Sequence, residues 1–180
     1  MPSINVDVKH VAGYGGKLAG VFHQYALIAE RVPSGFEGAT NILDATVASL
    51  NQISRLLGDD DESLKLFSPE GILYVQLLIR ECAKTFAKVV PIIHDACLPP
   101  KEFKAKLKRD KKELATKGPP EVIPCGLELD EKLFLEKVEN TKWSLAEEPL
   151  EDDMERMYEL QLHLLLVFQV VTVGGLSKDL

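Results

Sequence analysis

Little of the sequence alternates apolar and polar residues with the period of two that a strand requires. That lack argues against a sheet as the organising element. Positive charge is in short supply: 21 Lys and Arg stand against 28 Asp and Glu, a formal net charge of −7, which argues against bulk binding of nucleic acid. Cysteine is scarce and odd in number. Cys82, Cys97 and Cys125 are scattered through a chain with no signal peptide, and no Asn-x-Ser/Thr acceptor occurs. This pattern fits reduced thiols in a cytoplasmic protein rather than a disulfide framework. Long hydrophobic runs are also wanting. The longest, near the C-terminus, amounts to about ten apolar residues, below the roughly twenty that cross a bilayer, so no transmembrane segment is expected.

What is present suits one helical domain over residues 1–180. Hydrophobic residues are 46% and charged residues 27% of 180, enough for a substantial core without disulfide or metal. The stretch Leu150 to Val173 places Leu150, Met154, Met157, Leu164, Phe168 and Val171 at steps of three and four, with Tyr158, Leu162 and Leu165 widening the stripe. Such a helix needs neighbours on several sides and is expected at the centre of the bundle.

The other helices follow from the same periodicity. Residues 1–31 have helical spacing interrupted by Gly13, Gly15, Gly16 and Gly20. Each glycine costs a helix interior up to ~1 kcal/mol relative to alanine. A broken first turn is therefore expected, then a firm helix from about Lys17 to Arg31 that Pro33 ends. Ser34 and Glu37 have capping-box spacing. Phe36, Ala39, Leu43, Thr46, Leu50, Ile53 and Leu57 then form a seam that Gly58 closes, before the acidic loop Asp59-Asp60-Asp61-Glu62.

Ser68 and Pro69 start a third helix with the seam Ile72, Val75, Ile79, Cys82, Phe86, Val89, Ile93 and Cys97. Pro91 should kink it, and Pro99-Pro100 should stop it. Residues 101–117 read as a modest amphipathic helix with Phe103, Leu107 and Leu114 on one side, and prolines then mark a loop. Leu127 to Val138 reads as a short helix with Leu129, Leu133, Phe134 and Val138 inward. Ser144 and Glu147 repeat the capping-box spacing, and Gly174-Gly175 should end the last helix.

The chemical motifs fail one by one. The stretch GYGGKLAG, Gly13 to Gly20, invites a phosphate-loop reading, but Leu18 follows Gly16-Lys17 where a magnesium-binding hydroxyl is needed. The dinucleotide pattern would need a glycine at position 18 and a preceding strand. Close helix approach or a flexible entry explains the glycines better. His94 and Cys97 lie one turn apart, and Cys125 offers a third ligand, but zinc sites show tighter pairs and Cys97 belongs to the third helix's seam, so a buried thiol is expected there and no metal. Glu147, Glu148, Glu151, Asp152, Asp153 and Glu155 lack the calcium-loop spacing and read as a solvated face complementing a helix dipole. No catalytic set is legible and no cofactor is implied, so the chain reads as a non-enzyme.

One feature does imply a partner. Lys101 to Lys117 holds eight basic and three acidic residues, so it carries +5 and leaves −12 on the rest. Lys104, Lys108, Arg109, Lys111 and Lys112 are the candidate contacts to an acidic protein surface or to anionic lipid. A solvated helix face is the plainer alternative.

The order of these features resembles the helical N-terminal domains of fungal signalling proteins that carry NACHT-type NTPase or ankyrin-repeat modules, including the HeLo-like cell-death domains. The resemblance rests on AERVPSGFEGATNILDATVASLNQISRLL, on LLIRECAKTF and on KVENTKWSLAEEPLEDDMERMYELQLHLLLVFQV. Residues 99–126 depart from it as a basic insertion. The resemblance implies a cytoplasmic, non-catalytic interaction and signalling module at the front of a longer protein. In some of these domains the first helix disturbs membranes. The expectation is an all-α bundle of five to six helices with the C-terminal helix central. It should associate with a protein partner or with itself, through the second or third helix, and a membrane-active cell-death domain is the alternative.

Overall fold

The computed structural model of the chain describes residues 4–58 and 65–176. The acidic stretch 59–62 therefore lies outside the described residues. Among the described residues six helices and one short 3-10 turn make up the fold, and no strand occurs. The chain is an all-α bundle.

Helix α1 (Ile4–Ile28) runs unbroken through all four glycines. The expected fault at its start does not form, because the long buried face of α1 outweighs the helix cost of its glycines. A Cβ on Gly15 would stand 2.6 Å from Cζ of Phe86 and 2.9 Å from Cγ2 of Val47, whereas Gly13, Gly16 and Gly20 face open space. At Gly15, therefore, side chains from α2 and α3 leave no room for a side chain on α1. Val8, Val11, Leu18 and Phe22 are fully buried around it.

Helix α2 (Phe36–Leu57) buries every residue of its expected seam. Its start differs from the capping-box expectation. Gly35 is the N-cap, with φ of 76°, and no side chain caps the helix. The left-handed turn that glycine permits replaces the Ser34 cap. At the far end Asn5 of α1 reaches Gly58: its Nδ2 donates to the Gly58 carbonyl at 2.5 Å, and Ser54 Oγ donates to Asn5 Oδ1 at 2.7 Å. These bonds lock α1 and α2 as an antiparallel hairpin.

Helix α3 (Pro69–Asp95) starts as expected, with Ser68 Oγ accepting from the Gly71 N–H at 3.0 Å. Val75, Ile79, Cys82, Phe86, Val89 and Ile93 are buried, while Ile72 and Cys97 are half-buried at its ends. Pro100 does not merely stop a helix. It begins α4 (Pro100–Lys117), in the first-turn position where its missing N–H costs nothing. A 3-10 turn (Pro124–Gly126) leads to α5 (Glu131–Glu139), capped by Asp130. The helix begins later than its apolar spacing suggested; Phe134 and Val138 share the inward face, and Leu133, about 100° round the helix from Phe134, is 52% exposed.

Helix α6 (Trp143–Leu176) contains Pro149 and continues through Gly174-Gly175 instead of ending there. It packs against α2 and α3, whereas α1 touches α2, α3, α5 and the 3-10 turn. Helices α1 and α3 thus each touch four other elements, and the most extensive single contact is that between α1 and α2. Leu150, Met154, Met157, Leu160 and Leu164 of α6 are buried. Further on, Leu162, Leu166, Val170 and Val173 are 47–66% exposed, so the second half is covered on one side only. Counting the whole helix, Trp143–Gly174 is long and apolar enough to cross a membrane by length and composition. The apolar length expected from uninterrupted residues alone was too short, since His163, Gln161 and Gln169 are polar but carry no fixed charge.

Candidate functional site

Two surfaces carry unsatisfied charge. The first is α4. No residue of this helix is buried. Phe103 is half-buried, and Leu107 and Leu114 are 42% and 54% exposed. The helix makes no extensive contact with any other element. It is anchored at its start, where the Lys106 ammonium pairs with the Asp95 carboxylate. Lys104, Lys108, Arg109, Lys111 and Lys112 are all exposed. Among the described residues none of the five has an anionic partner. The spacing places Phe103, Leu107 and Leu114 on one stripe and the ladder Lys104, Lys108, Lys112 beside it.

The second surface is a groove of about 510 Å³ between the start of α2 and the first half of α6. Phe36, Ala39, Ile42, Leu150 and Met154 make its floor, and Trp143 closes one end. Trp143 is half-buried. Its indole N–H donates to the Tyr25 hydroxyl at 3.2 Å, and its ring meets Phe36 edge-on at 5.3 Å. The ring therefore joins the aromatic cluster at the bundle end while lining the groove. Glu147, Glu151 and Glu155 form one rim, each one turn from the next. These carboxylates begin in the second turn of α6, and the first turn holds no acidic residue. A helix dipole acts mainly within the first turn, so it does not account for them. Among the described residues no cation pairs with any of the three.

Asp153 overturns the reading of that cluster as a wholly solvated face. It is 5% exposed, and its Oδ2 is buried without a hydrogen-bond partner. Burial pushes its carboxyl up to about 7, against the opposing pull of the Lys88 ammonium on α3. Its sequence signal was faint: it lies three residues after Leu150 and four before Met157, on the inward side of the stripe. Nearby, the ammonium of Lys84 beside Glu81 holds that carboxyl below the usual range, with Arg156 adding to the effect.

The sulfur and imidazole groups do not converge. Cys97 Sγ donates to backbone carbonyls of Ile93 and Lys137 at 3.3 Å. Cys125 Sγ donates to Asp7 Oδ1 at 2.7 Å, and this bond raises its thiol above the ordinary range. Burial pushes the Cys82 thiol up to about 12, which makes it a poor nucleophile. His163 is exposed, its Nδ1 2.6 Å from the Tyr74 hydroxyl, and His23 Nε2 lies 2.7 Å from Asp44. Among the described residues no group of three or more His, Cys, Asp or Glu is placed to hold a metal ion.

No protein-family model, no curated protein and no solved structure matches the chain.

Proposed function

We propose that the chain is a non-catalytic protein-interaction domain that transduces a signal by recruiting an acidic surface to α4. The observation that carries this reading is an 18-residue helix with no buried residue that still presents three apolar side chains and a +5 segment. An isolated helix of this length is marginal in water, and its own bundle supports only its first turns. A partner that covers the Phe103, Leu107 and Leu114 stripe would supply the missing support. The seams of α2 and α3 support self-association poorly, because the core consumes them.

The test is a pull-down from the native cytoplasm with wild type and with a Lys104→Glu, Lys108→Glu, Lys111→Glu, Lys112→Glu variant. Capture of a protein by wild type and its loss in the variant is the expected result. Equal recovery by both would sink the proposal.

Membrane activity is the second reading, favoured by the exposed stripe Leu162, Leu166, Val170 and Val173. Action through the first helix has less support, since releasing α1 would expose Val8, Val11, Leu18 and Phe22 together. Flotation and leakage assays on vesicles containing anionic lipid separate the two readings. Lysine-dependent, salt-sensitive flotation would favour the membrane.

A further inference from the structure

We infer that the acidic groove between α2 and α6 is the receptor for α4 of a second copy of this chain. This inference rests on the interaction reading above and names the partner.

Three observations converge on that occupant. The groove has an apolar floor and an uncompensated carboxylate rim, so it fits a ligand with an apolar stripe flanked by cations. Helix α4 has that composition. Its Phe103, Leu107 and Leu114 form the stripe, and Lys104, Lys108 and Lys112 form the flanking ladder. The two ladders also match in period and length. Glu147, Glu151 and Glu155 step by one helical turn twice, and so do Lys104, Lys108 and Lys112, each spanning about 12 Å at 1.5 Å per residue. Both halves lack a partner of opposite charge among the described residues, and both are exposed.

The charge of the whole chain points the same way. With −12 outside the basic segment, two copies repel unless the positive helix of one faces the negative groove of the other. Complementary potentials of this kind orient an encounter and penalise other docking poses. The donor and acceptor surfaces differ, so every copy offers both halves of the contact.

The experiment is sedimentation velocity of the full chain across protein concentration, at low and at physiological salt. Wild type should associate at low salt and dissociate at least tenfold more readily as salt rises. Two charge-reversed chains should each remain monomeric: Glu147→Lys, Glu151→Lys, Glu155→Lys, and Lys104→Glu, Lys108→Glu, Lys112→Glu. All six positions are exposed, and helical circular dichroism checks that each variant is folded. Mixing the two variants should restore association, and so should a chain carrying all six reversals. Persistent association of either single-ladder variant overturns the inference, as does a monomeric wild type or an inert mixture. A monomer in which α4 crosslinks to the groove of its own chain overturns it too. If the pull-down still shows lysine-dependent capture of another protein while wild type stays monomeric, the interaction reading stands and this inference alone falls.

Discussion

At the scale of single residues, the fold depends on positions whose roles are opposite to their appearance. Gly15 looks like one of four equivalent helix weaknesses, yet it is the one with no room for a Cβ. Gly15→Ala should lower stability by about 1–3 kcal/mol, because the ring of Phe86 is locked in the core and cannot retreat. Gly16→Ala, in open space, should raise it by up to ~1 kcal/mol. Urea midpoints of the two variants should move in opposite directions, and parallel shifts would refute the close-approach account. Asp153 behaves in the opposite sense, as a charge bearer stored where charge is unfavourable. Its folded carboxyl titrates at about 7, above the ordinary 3.8 of the unfolded chain. Between those values the native state holds a proton that the unfolded chain has lost, so stability falls as pH rises through this window, by ~1.4 kcal/mol per unit. The penalty is fully present above pH 7. Asp153→Asn should flatten this slope and unfold at higher urea than wild type at pH 8. An unaltered slope would show that the buried carboxylate is not its source. Trp143 is half-buried rather than enclosed, so Trp143→Ala should cost about 2 kcal/mol, under the 3–5 of a fully buried ring. An unchanged unfolding midpoint would remove its ring from the account of the bundle end.

At the scale of elements, α4 stands apart from the bundle. Its amides beyond the first turns should exchange hydrogen far faster than those of α1 or α3, since no buried contact opposes fraying. Asp110→Pro should melt its second half and leave the thermal midpoint of the bundle unchanged, as read by Trp143 fluorescence. A lowered midpoint would mean that α4 is integrated after all. The elements also show which parts of this fold were legible in the sequence. The seams of α2 and α3 could be read residue by residue, because side chains recurring every three or four positions report burial directly. The Ser68 cap was legible for a similar local reason. The Ser34 and Glu37 pair was not decisive, because a spacing does not reveal that Gly35 adopts a left-handed turn. The unbroken course of α1 was hidden, since the packing that holds its buried face, including Phe86 and Val47 against Gly15, comes from residues far away in the chain. The basic ladder could be seen as a patch of charge. The groove that faces it could not, because its floor comes from α2 and its rim from α6.

At the scale of the whole molecule, charge is divided between one projecting helix and an acidic body. Because the core is apolar and no metal-binding cluster occurs among the described residues, a chelator should leave the helical circular dichroism unchanged. A large loss of signal would reveal a structural metal. The Asn5, Ser54 and Gly58 bonds that lock the α1–α2 hairpin also bear on how the chain reaches this state. The hairpin needs only a short connection, so it assembles from contacts that are near in sequence, and such contacts form quickly. Helix α6 has to return from the far end of the chain to cover α2 and α3. During synthesis, therefore, the faces of α2 and α3 that α6 covers stay open until α6 leaves the ribosome, and this interval exposes the young chain to aggregation. Pulsed hydrogen exchange during refolding should find α1 and α2 protected before α6, and simultaneous protection of all three would refute this order of assembly.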